Sequence, residues 1–130
     1  MCVVNNKKVL LVDNEHLILK MFREIFSYAN YSVFTAKNAE EALNILQEEN
    51  INVIFLDIVL PDMNGVDLCK EIRRNNHVCI INAFTGAFYS LVECRAAGFD
   101  DFFIKPTGAA LLLKATNEAF EKIERWGITA

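Results

Sequence analysis

Short apolar runs recur along the chain and alternate with longer stretches in which apolar residues return every three or four positions. The runs fall at Val9–Val12, Val33–Thr35, Val53–Leu56, Val78–Ile81 and Phe102–Ile104. Each is too short for an ordinary helix, and most are rich in β-branched and aromatic residues, so they predict strands. Val53–Leu56 reads VIFL with no polar alternation, as expected of a strand covered on both faces. Between the runs the period changes to that of a helix. Leu17, Met21, Ile25 and Tyr28 share one face, widened by Leu19, Phe22 and Phe26. Asn38 with Glu41 three places on predicts the capped start of a second helix running through Leu43 and Leu46. A third follows Gly65 and carries Val66, Leu68, Cys69 and Ile72. A fourth spans about Tyr89–Ala97 and stops at Gly98, and the last runs from about Gly108 to Trp126, ending near Gly127.

This alternation predicts an α/β fold: a doubly wound, five-stranded parallel sheet with five helices on both faces and right-handed crossovers. No internal repeat, low-complexity run or linker interrupts it. The expectation is one domain over residues 1–130, with no output domain visible.

Composition narrows the function. A chain of 130 residues supports one complete core, and ten Phe suggest that it is well filled. The net charge is −4 and there is no basic stripe, so direct nucleic-acid binding is not expected. The cluster Lys70, Arg73 and Arg74 reads as the solvated end of a helix. No apolar run approaches the ~20 residues that cross a bilayer, and MCVVNNKK is too short and polar for a signal peptide. A cytoplasmic protein is expected, without a membrane span. Cys2, Cys69, Cys79 and Cys94 show no metal-like pairing and no adjacent His, so reduced structural thiols are expected.

Three ionisable residues stand where predicted strands end: Asp13, Asp57 and Lys105. Open parallel sheets place their working site at the carboxyl ends of the strands, so two carboxylates and one ammonium can converge there. Phosphoryl transfer to a carboxylate needs that set: an exposed Asp, a divalent cation and a fixed positive group for the phosphoryl oxygens. Asp57, after the most apolar strand, is the best acceptor. No Gly-rich phosphate loop follows the first strand, where VDNEH stands, which argues against a bound flavin or nucleotide. A phosphoaspartyl hydrolase would want a second Asp where Val59 lies.

VDNE at 12–15, the D-x-x-x-P-x-M-x-G stretch from Asp57 to Gly65, and Lys105-Pro106 together resemble the receiver domain of two-component response regulators, over essentially the whole chain. The resemblance implies a flavodoxin-like strand order and phosphorylation of Asp57 by a histidine kinase or phosphotransfer protein. It implies Mg²⁺ held by Asp13, Asn14, Asp57 and the backbone carbonyl of Val59, and Lys105 paired with the acceptor through a Lys-Pro bond that is usually cis. Asn14 replaces the second acidic residue common in the family, which predicts weaker Mg²⁺ binding; capping the first helix is a compatible role. The family's switch uses Ser or Thr at the end of the fourth strand and an aromatic in the fifth. Counting back from Lys105 gives Ala83, or Asn82 with one extra loop residue; Asn82 is favoured, and Thr85 is read as loop. Phe102 fits the aromatic position, and equally a plain core role. Val59 and Phe84, both apolar, fit positions flanking the hydrolytic water, which predicts a long-lived phosphorylated state.

The expected partners are the phosphodonor and a downstream protein or output domain, with a homodimer possible. Self-phosphorylation and slow hydrolysis, and no turnover of a metabolite, are the expected chemistry. The alternative is a pseudo-receiver, an interaction module that keeps the fold and switches weakly or not at all.

Overall fold

The structure, a computed structural model, describes residues 7–75, 78–86 and 91–126. Ten elements alternate strictly: β1 (Lys8–Val12), α1 (His16–Tyr28), β2 (Ser32–Ala36), α2 (Ala39–Glu48), β3 (Val53–Leu56), α3 (Gly65–Asn75), β4 (Ile80–Thr85), α4 (Leu91–Ala97), β5 (Asp101–Ile104) and α5 (Ala109–Arg125). The strands form one parallel sheet in the order β2-β1-β3-β4-β5, the flavodoxin-like arrangement.

Because side chains alternate across a strand, each central strand feeds two cores. Leu10, Val12, Ile54, Leu56, Ile81 and Ala83 pack with α2, α3 and α4. Val9, Leu11, Val53, Phe55, Ile80 and Phe84 pack with α1 and α5. The second core is aromatic: Phe22 stacks on Phe26 at 3.9 Å, and Phe55 meets Phe22 edge-on at 5.5 Å. β3 is wholly buried, which explains its unbroken apolar run.

Local signals set the helix ends. Asn38 accepts the Glu41 N–H at 2.8 Å and starts α2. α1 ends at Asn30 (φ 71°) and α4 at Gly98 (φ 113°), both left-handed. At each, the next amide reaches back five residues, Tyr31 to the Phe26 carbonyl and Phe99 to that of Cys94. Asn14 is not a helix cap, since Glu15 holds that position in α1. Tyr89, Gly127 and Cys2 lie outside the described residues. Cys69, Cys79 and Cys94 are buried and form no disulfide, and burial pushes the Cys69 and Cys79 thiols up to about 12 and about 11.

Two further expectations need correction. β4 runs on to Thr85 rather than stopping near Ile81, because Asn82 to Thr85 pair with β5 while Ile80 to Ala83 pair with β3. The polar Asn82 breaks the apolar run without breaking the strand. Arg73 is also no solvated helix end. Its guanidinium bonds the Gly98 carbonyl (2.6 and 2.9 Å), the Cys79 carbonyl (2.5 Å) and the Asp100 carboxylate (2.7 Å). Asp100 in turn accepts the Ile81 N–H at 2.8 Å, so one side chain joins α3, the start of β4 and the α4–β5 turn.

Candidate functional site

Asp13 directly follows β1 and Asp57 directly follows β3. The Asp57 N–H continues the ladder to the Val12 carbonyl (2.9 Å), and the Asp13 N–H does the same to Ala36 (2.9 Å). Each carboxylate then folds over its own turn: Asp13 Oδ1 accepts the Glu15 N–H at 2.9 Å, and Asp57 Oδ1 accepts the Val59 N–H at 3.1 Å. These turns leave the two Oδ2 atoms facing the same point.

Lys105 fills that point. Its N–H bonds the Thr85 carbonyl at 2.9 Å, and the following Lys105-Pro106 peptide is cis. Its Nζ lies 2.5 Å from Asp13 Oδ2, 3.1 Å from Asp57 Oδ2 and 3.9 Å from Glu15 Oε1. The Phe84 ring forms the floor, its centre 5.4 Å from Nζ. Burial works against the ammonium, yet the two carboxylates outweigh it and hold Lys105 above its ordinary value. Asp13 is fully buried, and that burial pushes its carboxyl up despite the Lys105 ammonium and the Glu15 N–H.

The donor set suits a hard divalent cation. Asp13 Oδ2 is buried and accepts no aligned hydrogen bond, so its charge is met only by the ion pair. Among the described residues no three His, Cys, Asp or Glu side chains cluster as a metal cage. Two carboxylates beside an open rim match Mg²⁺, which keeps several waters and needs only one or two carboxylates. Asn14 and Val59 lie on that rim; Asn14 is exposed and Val59 is 57% exposed.

Gly65 closes the site from below. Its N–H bonds the Ile58 carbonyl at 2.7 Å, and a Cβ here would fall 2.3 Å from the Asp57 carbonyl oxygen. The glycine of the D-x-x-x-P-x-M-x-G stretch is there for close backbone approach.

The structure brings Asp13, Asp57 and Lys105 together and separates Asn82 from them. Asn82 sits mid-strand and lines a cleft with Asp101, Ala115, Glu118 and Lys122 on the α5 side. Thr85, fully buried, is the residue at the carboxyl end of β4, on the α4 side of the sheet. Sequence reasoning missed it by ending the strand at the Asn. The usable signal was the Ile-Ile-x-Ala-Phe-Thr-Gly run, apolar past Asn82 up to a hydroxyl and a glycine. Phe84, expected to flank the hydrolytic water, is buried with its ring beneath the Lys105 ammonium. Phe102 stands on Thr85's side of the sheet, one strand over and paired with Ala83. It lines a cleft of about 160 Å³ with Leu91, Cys94, Arg95 and Phe99.

Comparison with known proteins agrees with this fold. The response regulator receiver domain family matches residues 9–117. Chemotaxis protein CheY of Thermotoga maritima is 32% identical over 115 residues, covering 86% of this chain and 96% of that protein. The transcriptional regulatory protein ResD of Bacillus subtilis is 33% identical over 103 residues, 78% of this chain and 43% of its own length. The chain likewise spans only 44% and 40% of two probable transcriptional regulators, from Cyanophora paradoxa and Guillardia theta. The crystal structure of a CheY-like receiver domain protein from Methanospirillum hungatei superimposes with a TM-score of 0.87 at 30% identity, over 92% of this chain and 97% of that one. With two carboxylates and a lysine gathered at the ends of β1, β3 and β5 under that matched fold, the chain belongs to the response regulator receiver domain family.

Proposed function

We propose that Asp57 accepts a phosphoryl group from a histidine kinase or phosphotransfer protein and so switches a partner-binding surface. The observation that carries this reading is the Lys105 ammonium bridging the Asp13 and Asp57 carboxylates. An Asp57 carboxylate oxygen attacks phosphorus, the donor's P–N bond breaks, and the phosphoryl group ends as an acyl phosphate. Lys105, already within 3.1 Å of Asp57 Oδ2, meets the charge that gathers on the phosphoryl oxygens. Asp13, Asn14, Asp57 and the Val59 carbonyl would hold Mg²⁺, which neutralises the repulsion between carboxylate and phosphoryl group. Asn14 leaves this pocket one formal charge short of an acidic pair, so weaker Mg²⁺ binding remains the expectation.

Thr85 replaces Asn82 as the switch residue in this reading. Its place at the end of β4 lets its hydroxyl follow the new acceptor oxygens, and Phe102 on the same side of the sheet responds to the space vacated. The surface that would change carries exposed Leu91 and Val92 on α4, Ile104 on β5 and Leu111 on α5. These apolar residues suit a downstream protein, an output domain or a second copy. Slow hydrolysis is still proposed on Val59 alone, an apolar residue on the open rim with no group to orient water.

Incubation with a small acyl-phosphate donor and Mg²⁺, followed by intact-mass measurement, tests the reading. One phosphoryl adduct is expected, absent in Asp57→Asn. No adduct in the parent at saturating Mg²⁺ would leave the pseudo-receiver, the reading that exposed Asn14 favours.

A further inference from the structure

The β3–α3 loop, residues 57–64, carries the acceptor at one end and leads into Gly65 at the other. Its ends are well tied. The Val59 N–H bonds Asp57 Oδ1, the Gly65 N–H bonds the Ile58 carbonyl, and the Val66 N–H bonds Asn64 Oδ1 at 2.7 Å. The middle is a different case, since Val59, Pro61, Asp62 and Met63 are all exposed. Asp62 reaches out of this stretch to another element. Its Oδ1 accepts the Ala39 N–H at 2.9 Å and its Oδ2 accepts the Glu40 N–H at 3.1 Å. One carboxylate thus grips two successive amides at the start of α2, which fixes orientation as well as distance. These bonds hold the Asp62 carboxyl below its ordinary value although it faces solvent.

α2 does not need this carboxylate to begin. Asn38 already caps it through the Glu41 N–H, and Glu41 Oε1 accepts the Lys37 N–H at 3.1 Å. The consequence of the Asp62 tie therefore falls mainly on the loop. We propose that Asp62 is a positioning residue: by pinning the middle of the β3–α3 loop to α2, it holds the Val59 backbone beside Asp13 and Asp57 and strengthens divalent-cation binding there. The inference rests on the cation site described under the proposed function.

Mg²⁺ titration without phosphodonor, followed by backbone amide shifts of residues 12–15 and 57–60, tests it in the parent, Asp62→Ala and Asp62→Asn. Outer-shell partners of metal ligands are typically worth about 10–100-fold in affinity. Asp62 acts one step further out, through the backbone, so about a 3–10-fold weaker Mg²⁺ affinity is expected in Asp62→Ala. Asp62→Asn should fall between, because its amide oxygen keeps one of the two bonds. Phosphorylation at saturating Mg²⁺ should stay within about twofold of the parent, since only cation binding is loosened. A parent-like Mg²⁺ affinity in Asp62→Ala, with only a lower melting temperature, would reduce Asp62 to a helix cap and overturn the proposal. If Asp62→Ala does not fold, parent-like affinity in Asp62→Asn overturns it equally. A parent that shows no Mg²⁺ shifts at these residues would instead bring down the cation site itself, and this inference with it.

Discussion

Replacing Gly65 by alanine sets two opposed effects against each other. Alanine in place of glycine within a helix gains about 0.5–1 kcal/mol from backbone entropy. Gly65 is the first residue of α3 and its φ is not left-handed, so the backbone itself accepts alanine. The new methyl, however, would stand 2.3 Å from the Asp57 carbonyl oxygen and 2.5 Å from Ile58 Cα. That is more than about 1 Å inside ordinary contact. Both obstacles are backbone atoms beside buried strand ends, with no flexible side chain to swing away. Relief requires α3 to withdraw, which strains the core at about 1–3 kcal/mol and weakens the 2.7 Å bond from the Gly65 N–H to Ile58, worth about 1 kcal/mol. The clash wins by about 1–3.5 kcal/mol. For a domain of this size each kcal/mol moves the midpoint by roughly 4 °C, so the thermal midpoint of Gly65→Ala should fall by about 4–14 °C. Circular dichroism melts of both proteins measure this directly. A Gly65→Ala variant melting at or above the parent would refute the claim that close approach to the acceptor backbone dictates this glycine.

Arg73→Ala should cost about 2–4 kcal/mol in urea unfolding, because it removes the guanidinium's bonds to the Gly98 and Cys79 carbonyls and the Asp100 carboxylate together. Arg73→Lys should recover only part of this, as one ammonium cannot span three acceptors; a loss below about 1 kcal/mol in Arg73→Ala would mean water replaces the guanidinium. Without Mg²⁺, the site should also mark the stability–pH curve at both ends. Lys105 is raised above 10.5 on folding, so its contribution is complete below pH 10.5 and disappears as pH climbs through the folded value. Asp13 is raised above 3.8, so stability is lost as pH rises from 3.8 through its folded value, where the buried carboxyl ionises. Lys105→Met should erase the alkaline loss and carry the Asp13 step to higher pH, since the cation opposing burial is gone. An unchanged pair of transitions in Lys105→Met, followed by denaturant titration across pH, would contradict this account.

What the sequence determined by itself was period and punctuation. The switch between apolar runs and helical stripes identified five strands and five helices. Asn38 and Gly98 marked helix ends through chemistry that acts within a few residues. Asp13, Asp57 and Lys105 were legible because each directly follows a strand, and parallel crossovers bring such ends to one edge. Tertiary structure decided whatever depended on pairing between distant segments. The length of β4 follows from its neighbours β3 and β5, so only the register put Thr85, and not Asn82, at the carboxyl end of that strand. Arg73 looked like a surface charge because two of its acceptors, Gly98 and Asp100, lie 25 and 27 residues away, and nothing near Asp62 in sequence marks its partner Ala39, 23 residues away. A side chain's partners across space leave no periodic trace along the chain, whereas burial of one face leaves one in every turn and every second strand residue.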